Sequence, residues 1–290
     1  MKVSGFTFIR NGIKLDYPIE EAIRSILPLC DEVVVAVGNS EDETLKLIQK
    51  IDPKVRIIET VWDDSLREGG AVLAVETDKA FKAISADSDW AIYIQGDEVM
   101  HESYYGNIRN ALNQFNLDDG VDGLLFNYRH FYGSYDYIGD AIQWYPKEIR
   151  IVKNRPDIYS FGDAQGFKKG NGVKLNVAEI DAYIHHYGWV KSPAAMQRKQ
   201  EIFHKLWHDD NWVEKNVIKA DEFDYSEVKA LWKFSGQHPS VMKNRIATKG
   251  WKFDHDISRN TFSLKEKLKK WAQGITNKPL GEYQNYNVVK

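Results

Sequence analysis

Trp90-Ala91-Ile92-Tyr93-Ile94-Gln95-Gly96-Asp97-Glu98 begins as an apolar strand and breaks off into an amide, a glycine and two acids. A short run rich in aromatic and β-branched residues suits a buried strand. Adjacent carboxylates at its end are hard oxygen donors of the kind that hold Mg²⁺ or Mn²⁺ against substrate phosphates. Two acids after a strand are also what a solvated turn looks like, so their meaning depends on the surrounding chain.

Upstream, strand and helix patterns alternate. Val3 to Ile9 reads as a strand, and Ile19, Ala22, Ile23, Ile26 and Leu27 recur at helical spacing behind Asp16 and Pro18. Val33 to Val37 is a buried strand, Leu45, Ile48 and Ile51 mark a second helix, Val55 to Glu59 a third strand, and 70–84 a third helix. Such alternation predicts a parallel sheet covered by helices, with its binding crevice at the carboxyl ends of the strands. The 90–98 stretch is then the fourth strand, and its acids sit at that crevice. Downstream, a helix to Phe115 and a strand at Leu124 to Tyr128 lead into mixed strands and loops, and helices are expected at 193–208, 226–233 and 238–247.

Composition narrows the functional classes. The chain has 290 residues, 43% hydrophobic and 28% charged, enough to bury a core without disulfides or structural metal. The longest aliphatic run, Val33 to Val37, is far too short to span a bilayer. One cysteine, Cys30, excludes a disulfide framework, and with no signal-peptide pattern the expected location is the cytoplasm. Net charge is −3, but 243–290 carries eleven Lys and Arg against four Asp and Glu. Lys265, Lys267, Lys269 and Lys270 flank Leu264, Leu268 and Trp271, which suits either a solvated helix or peripheral contact with the inner face of a membrane. The acidic body, without a stacking module, argues against nucleic acid.

On these motifs the N-terminal half resembles the family 2 glycosyltransferases of the GT-A fold. Ile94-Gln95-Gly96-Asp97-Glu98 stands where that family has an Asp-x-Asp-like metal element, and Ser40, Asp42 and Thr44 match its second-strand pattern. His185-His186-Tyr187-Gly188 resembles its His-Tyr-Gly element, and the likeness runs over about 3–205. Two positions depart from the pattern: Gln95 and Val37 replace acids. The implied fold is α/β, a Rossmann-like, mostly parallel mixed sheet flanked by helices. The expected division is a transferase domain at 1–215, with donor half 1–100 and acceptor half 101–215, and a basic helical extension at 216–290.

The resemblance implies transfer of a sugar from a nucleoside diphosphate donor, a UDP-sugar foremost, to a glycan or lipid-linked acceptor in surface polysaccharide synthesis, with inversion. It implies donor contacts from Phe8, Arg10, Asn11, Asn39, Asp42, Arg67, Gln95, Gly96 and Asp97. It also implies a divalent metal, Mn²⁺ or Mg²⁺, on Asp97, Glu98 and His186. Only one of the adjacent His185 and His186 can face the crevice from a strand, and His186 is the expected one. Asp163, in the glycine-flanked loop Ser160 to Phe167, is the expected base, with Asp140 and Glu148 as competitors. His130, Tyr132 and Trp144 lie in an aromatic, polar-studded stretch suited to stacking on an acceptor sugar. Each has a plainer role open to it, Asp42 as a helix cap and Asp163 as a turn residue. Two other classes compete. A sugar-nucleotide pyrophosphorylase would need a glycine-rich loop where Phe8-Ile9-Arg10-Asn11-Gly12 stands. A degenerate transferase retained as a carbohydrate-binding or scaffold protein would explain Gln95 and Val37.

Overall fold

The computed structural model describes residues 1–139, 144–264, 267–268 and 284–289. Its first half is β1 (Val3–Ile9), α1 (Ile19–Ile26), β2 (Glu32–Gly38), α2 (Thr44–Ile48), β3 (Val55–Thr60), α3 (Ala71–Lys82) and β4 (Trp90–Tyr93). Strands run parallel in the order β3-β2-β1-β4. The order of strand addition changes side between β1 and β4, which stay parallel, and this opens a crevice at their carboxyl ends.

Alternation explains the layering. Val33, Val35 and Val37 of β2 pack on one side with Ile19, Ile23 and Ile26 of α1. Val34 and Ala36 pack on the other with Val72, Leu73, Ala80 and Phe81 of α3. A strand buried on both faces reads as a continuous apolar run, and each fully buried Ile or Val contributes roughly 1.5–3 kcal/mol.

The second half is β5 (Glu98–Met100), α4 (Tyr105–Phe115), β6 (Gly123–Tyr132), β7 (Tyr137–Gly139), β8 (Lys147–Lys153), β9 (Ile158–Phe161), β10 (Gly166–Lys169) and β11 (Val173–Trp189). Helices α5 (Pro193–Phe203) and α6 (Asp210–Asn216), strand β12 (Leu231–Lys233), helix α7 (Lys243–Ala247) and strand β13 (Tyr286–Val288) follow. The sheet continues from β4 as β8-β6-β11-β10-β9. It is α/β and mixed as expected, but parallel mainly in its first half. Hairpins replace crossover helices after α4, so β4–β8, β6–β8, β9–β10 and β10–β11 are antiparallel.

Among the described residues of 216–290, where a helical extension is expected, α7 and short helical turns stand beside strands β12 and β13. Residues 226–233 hold no helix: Leu231–Lys233 pairs antiparallel with β7, so the apolar residues that suggest a helix complete a small sheet instead. Tyr225, Leu231 and Met242 are buried against the body, and β13 joins the main sheet beside β11. Of the basic amphipathic stretch 264–271, Lys265, Lys269, Lys270 and Trp271 lie outside the described residues, as does Asp140, while Leu264 and Leu268 are exposed. Among the described residues no helix is long and apolar enough to cross a membrane.

Candidate active site

A cavity of about 1160 Å³ opens at the carboxyl ends of β1 and β4. Phe8, Arg10 and Asn11 border it from the end of β1, Gln95, Gly96 and Asp97 from the end of β4, and Lys199, Phe203 and Trp207 from α5 and the turn after it. Glu148, Asp163, Trp144, His186 and Trp189 close the remaining wall.

Asp97 lies at its centre. The carboxylate Oδ2 is 3.7 Å from His186 Nε2 and 3.4 Å from Lys199 Nζ. Burial pushes the Asp97 carboxyl up, but His186, Lys199 and Lys191 outweigh it and hold the group far below the usual carboxylate range. Asp97 is therefore an anion, set between the Lys199 ammonium and the His186 ring. Tyr17 borders the same space, and burial together with the Asp97 charge keeps its phenol protonated.

Histidine alternation along β11 sorts the His185-His186 pair. His186 faces the cavity, while His185 is buried on the opposite side, stacked on Phe131. The orientation of His186 is fixed from behind. His130 Nε2 lies 2.7 Å from the Tyr145 carbonyl and must donate to it. Burial and the neighbouring His186 push His130 down to about 3, so it is neutral and its Nδ1 accepts. His186 Nδ1, at 3.1 Å, must then be the donor, which leaves Nε2 turned toward Asp97. Gly188 permits this approach: a Cβ there would stand 2.7 Å from both Asp97 Oδ2 and His186 Nε2.

Glu98 has a different place from the one expected. It is fully buried and makes a two-pronged ion pair with Arg150, Nε to Oε2 at 2.8 Å and Nη2 to Oε1 at 2.7 Å. The Tyr128 hydroxyl and the Gln95 N–H also donate to it. With both oxygens engaged and no face on the cavity, Glu98 organises the site from beneath. Gln95 turns away from any cation as well: its amide donates to the Ala164 carbonyl at 3.1 Å. Arg150 Nη1 donates to the neighbouring Gln165 carbonyl at 2.9 Å. Together they pin the turn that carries Asp163, in which Ala164 takes a left-handed φ of 63°. Burial raises the Asp163 carboxyl above its ordinary value, and pushes Glu148 up to about 7, with Asn285 Nδ2 donating to its Oε2 at 3.2 Å.

The other expected site residues separate. Arg10 borders the cavity and pairs with Asp64 at 2.7 Å. Asn11 accepts from the Glu41 N–H and clips the first two βα loops together. Arg67 reaches across to the Lys205 carbonyl and to Asp210 at 2.8 Å, fastening the β3–α3 loop to the segment after α5. Asn39 and Asp42 do not border the cavity. Asn39 accepts from the Trp62 N–H, and Asp42 accepts from Thr44 N and Lys14 N, a turn contact ahead of α2, whose N-cap residue is Glu43. Trp144 lines the cavity, but His130 and Tyr132 are buried behind it, His130 stacked on Trp144 at 5.1 Å and Tyr132 against Trp189. Lys199, Tyr17, Trp62, Trp189 and Trp207 were not expected there. Nothing in their local sequence marks them, because helix packing and loop path bring them in.

The donor set does not suit the divalent ion that the resemblance implies. Among the described residues no three His, Cys, Asp or Glu side chains converge. Beside Asp97 only the His186 imidazole approaches closely, at 3.7 Å, and the same carboxylate oxygen already faces an ammonium at 3.4 Å. At an effective dielectric of about 20, an ammonium about 4 Å from a divalent ion repels it by about 8 kcal/mol, which cancels the attraction of one carboxylate at the same distance.

No family model and no curated protein matches the chain. Solved structures similar to it include S. aureus TarS 1–349 in complex with UDP, 14% identical with a TM-score of 0.43, the match covering 76% of this chain and 68% of that one. Another is glucosyl-3-phosphoglycerate synthase from Mycobacterium tuberculosis with Mn²⁺, UDP and glucosyl-3-phosphoglycerate, 19% identical with a TM-score of 0.30, covering 45% of this chain and 44% of that one. With so little shared, the chemistry of this chain follows from its own α/β sheet and the residues at its crevice.

Proposed function

We propose that the chain is a glycosyltransferase that moves a sugar from a nucleoside diphosphate donor to a hydroxyl of a glycan or lipid-linked acceptor, with inversion. The observation that carries this is the crevice at the β1–β4 switch, where a floor of Lys199 and His186 around Asp97 faces a wall holding Asp163, Glu148 and Trp144. The ammonium on that floor suits a diphosphate, and a tryptophan face beside carboxylates suits a sugar whose hydroxyl must lose a proton.

The acceptor oxygen attacks the anomeric carbon while Asp163, made more basic by burial, takes its proton. The bond from that carbon to the diphosphate oxygen breaks, and the electron pair leaves with the phosphate. Arg10 and the loop joined by Asn11 border the outer end of the cavity, where the nucleoside fits. Gln95 and Arg150 hold the Asp163 turn against the reacting centre, so their hydrogen bonds determine how the base is aimed.

The test is release of nucleoside diphosphate from a panel of nucleotide sugars, UDP-sugars first, with and without simple glycan acceptors. Asp163→Asn should lower turnover at least a hundredfold while leaving nucleoside diphosphate affinity within about threefold. An active Asp163→Asn enzyme removes the base assignment. Glycan binding without release from any donor would favour the degenerate, carbohydrate-binding alternative.

A further inference from the structure

Lys199 is buried to 8% exposure, yet it borders the cavity. It is fixed there: Nζ donates to the Gly188 carbonyl at 2.9 Å and faces Asp97 at 3.4 Å, with the Tyr17 ring 5.2 Å away. Burying an ammonium is costly unless it is paired, and the one carboxylate within reach of Lys199, Asp97, is shared with His186. The carboxylate that could have completed a metal site, Glu98, is consumed by Arg150, and Gln95 brings none.

We propose that Lys199 stands in for a divalent cation at the donor diphosphate: its ammonium, with the His186 imidazole, meets the charge on the departing phosphate, and Asp97 holds those two groups in place rather than a metal ion. This rests on the nucleotide-sugar reading above. When the bond from the anomeric carbon to the phosphate oxygen breaks, the electron pair goes to that oxygen, and Lys199 donates hydrogen bonds to it without giving up its proton. The acceptor proton goes to the base carboxylate, so charge and protons balance with no ion bound. The arrangement explains why Asp97 is kept where Gln95 and Glu98 serve other ends.

The test is calorimetric binding of a panel of nucleoside diphosphates to the full chain, in EDTA and in Mn²⁺, with manganese binding followed independently by electron paramagnetic resonance. The wild-type protein should bind its nucleotide equally well, within about twofold, in EDTA and in Mn²⁺, and leave the free-manganese signal undiminished. Lys199→Met should weaken the nucleoside diphosphate at least tenfold in EDTA, leave the matching nucleoside within about threefold, and gain nothing from Mn²⁺. A tenfold or greater tightening by Mn²⁺ in the wild type, lost in Asp97→Asn, would overturn the proposal while leaving the nucleotide reading intact. Absence of binding to every nucleotide in both conditions sinks that reading and this inference with it. The wild-type comparison needs no variant, so misfolding of Lys199→Met cannot shield the proposal.

Discussion

At Gly188 one missing methyl group decides whether the site can form. Asp97 is held by Lys199, and His186 is held by His130, so neither can retreat far from a Cβ placed 2.7 Å from both. Gly188→Ala should destabilise the fold by about 1–3 kcal/mol and weaken nucleoside diphosphate binding at least tenfold, which thermal denaturation and calorimetry would read together. Unchanged affinity would mean that the Asp97–His186 pair is not where phosphate binds. Glu148 carries a pH signature. Its carboxyl rises from an ordinary 4.5 to about 7 on burial. Below pH 4.5 it is protonated in both states and costs nothing. Between those values only the unfolded chain ionises, so stability falls, and above pH 7 the full penalty of about 3 kcal/mol applies. Glu148→Gln should therefore melt several degrees above wild type at pH 8, with the gap shrinking toward pH 5. A gap independent of pH would show that the carboxyl is not held out of water.

The link from β5 through β8 to the β9–β10 turn is where one buried ion pair anchors the loop proposed to carry the base. Glu98 opens β5, Arg150 lies in β8, and Arg150 also anchors Gln165 beside Asp163. Breaking a buried pair strands a charge and costs about 3–5 kcal/mol, so Glu98→Gln should lower stability by that order. It should also cut turnover through a looser Asp163 turn, seen as a fall in kcat with KM for donor little changed. Equal loss of donor affinity would place Glu98 nearer the nucleotide than its contacts indicate. These elements also show what a sequence can reveal. The parallel half was legible, because Val33 to Val37 and Trp90 to Ile94 are uninterrupted apolar runs separated by helical periodicity. Two-residue alternation allowed only one of His185 and His186 to face the crevice, and the choice of His186 rested on its place before Tyr187-Gly188. The fate of Glu98 was not legible, because its partner lies 52 residues along the chain on β8, a strand that β5 does not pair with. Lys199 was invisible for a similar reason: within α5 it is one lysine among Gln, Arg and Glu, and only the docking of that helix against β11 turns it inward. At 226–233 apolar spacing suggested a helix, and pairing with β7 won because it buries Leu231 in the aromatic cluster around Tyr132.

Across the whole molecule, the last described residues return to the centre of the fold. Strand β13 runs parallel to β11, pairing Tyr286 with Leu175 and Val288 with Val177, and Val289 N donates to the Val177 carbonyl at 2.9 Å. Just before it, Asn285 is buried and donates to Glu148 in the cavity wall. The C-terminal region is therefore part of the sheet and of the wall, and removing 284–290 should be felt in both. Loss of the ladder and of buried Tyr286 costs about 2–4 kcal/mol, a fall in melting temperature of about 3–7 °C for a chain of this size. Asn285 also lowers the Glu148 carboxyl, so its removal raises that group further and makes the loss larger at pH 8 than at pH 5. Thermal denaturation of the truncated and full chains at both values separates the two contributions. A truncated chain that melts with the full one at both would mean that β13 carries none of the folding energy, and the wall would have to be stabilised by β8 and β10 alone.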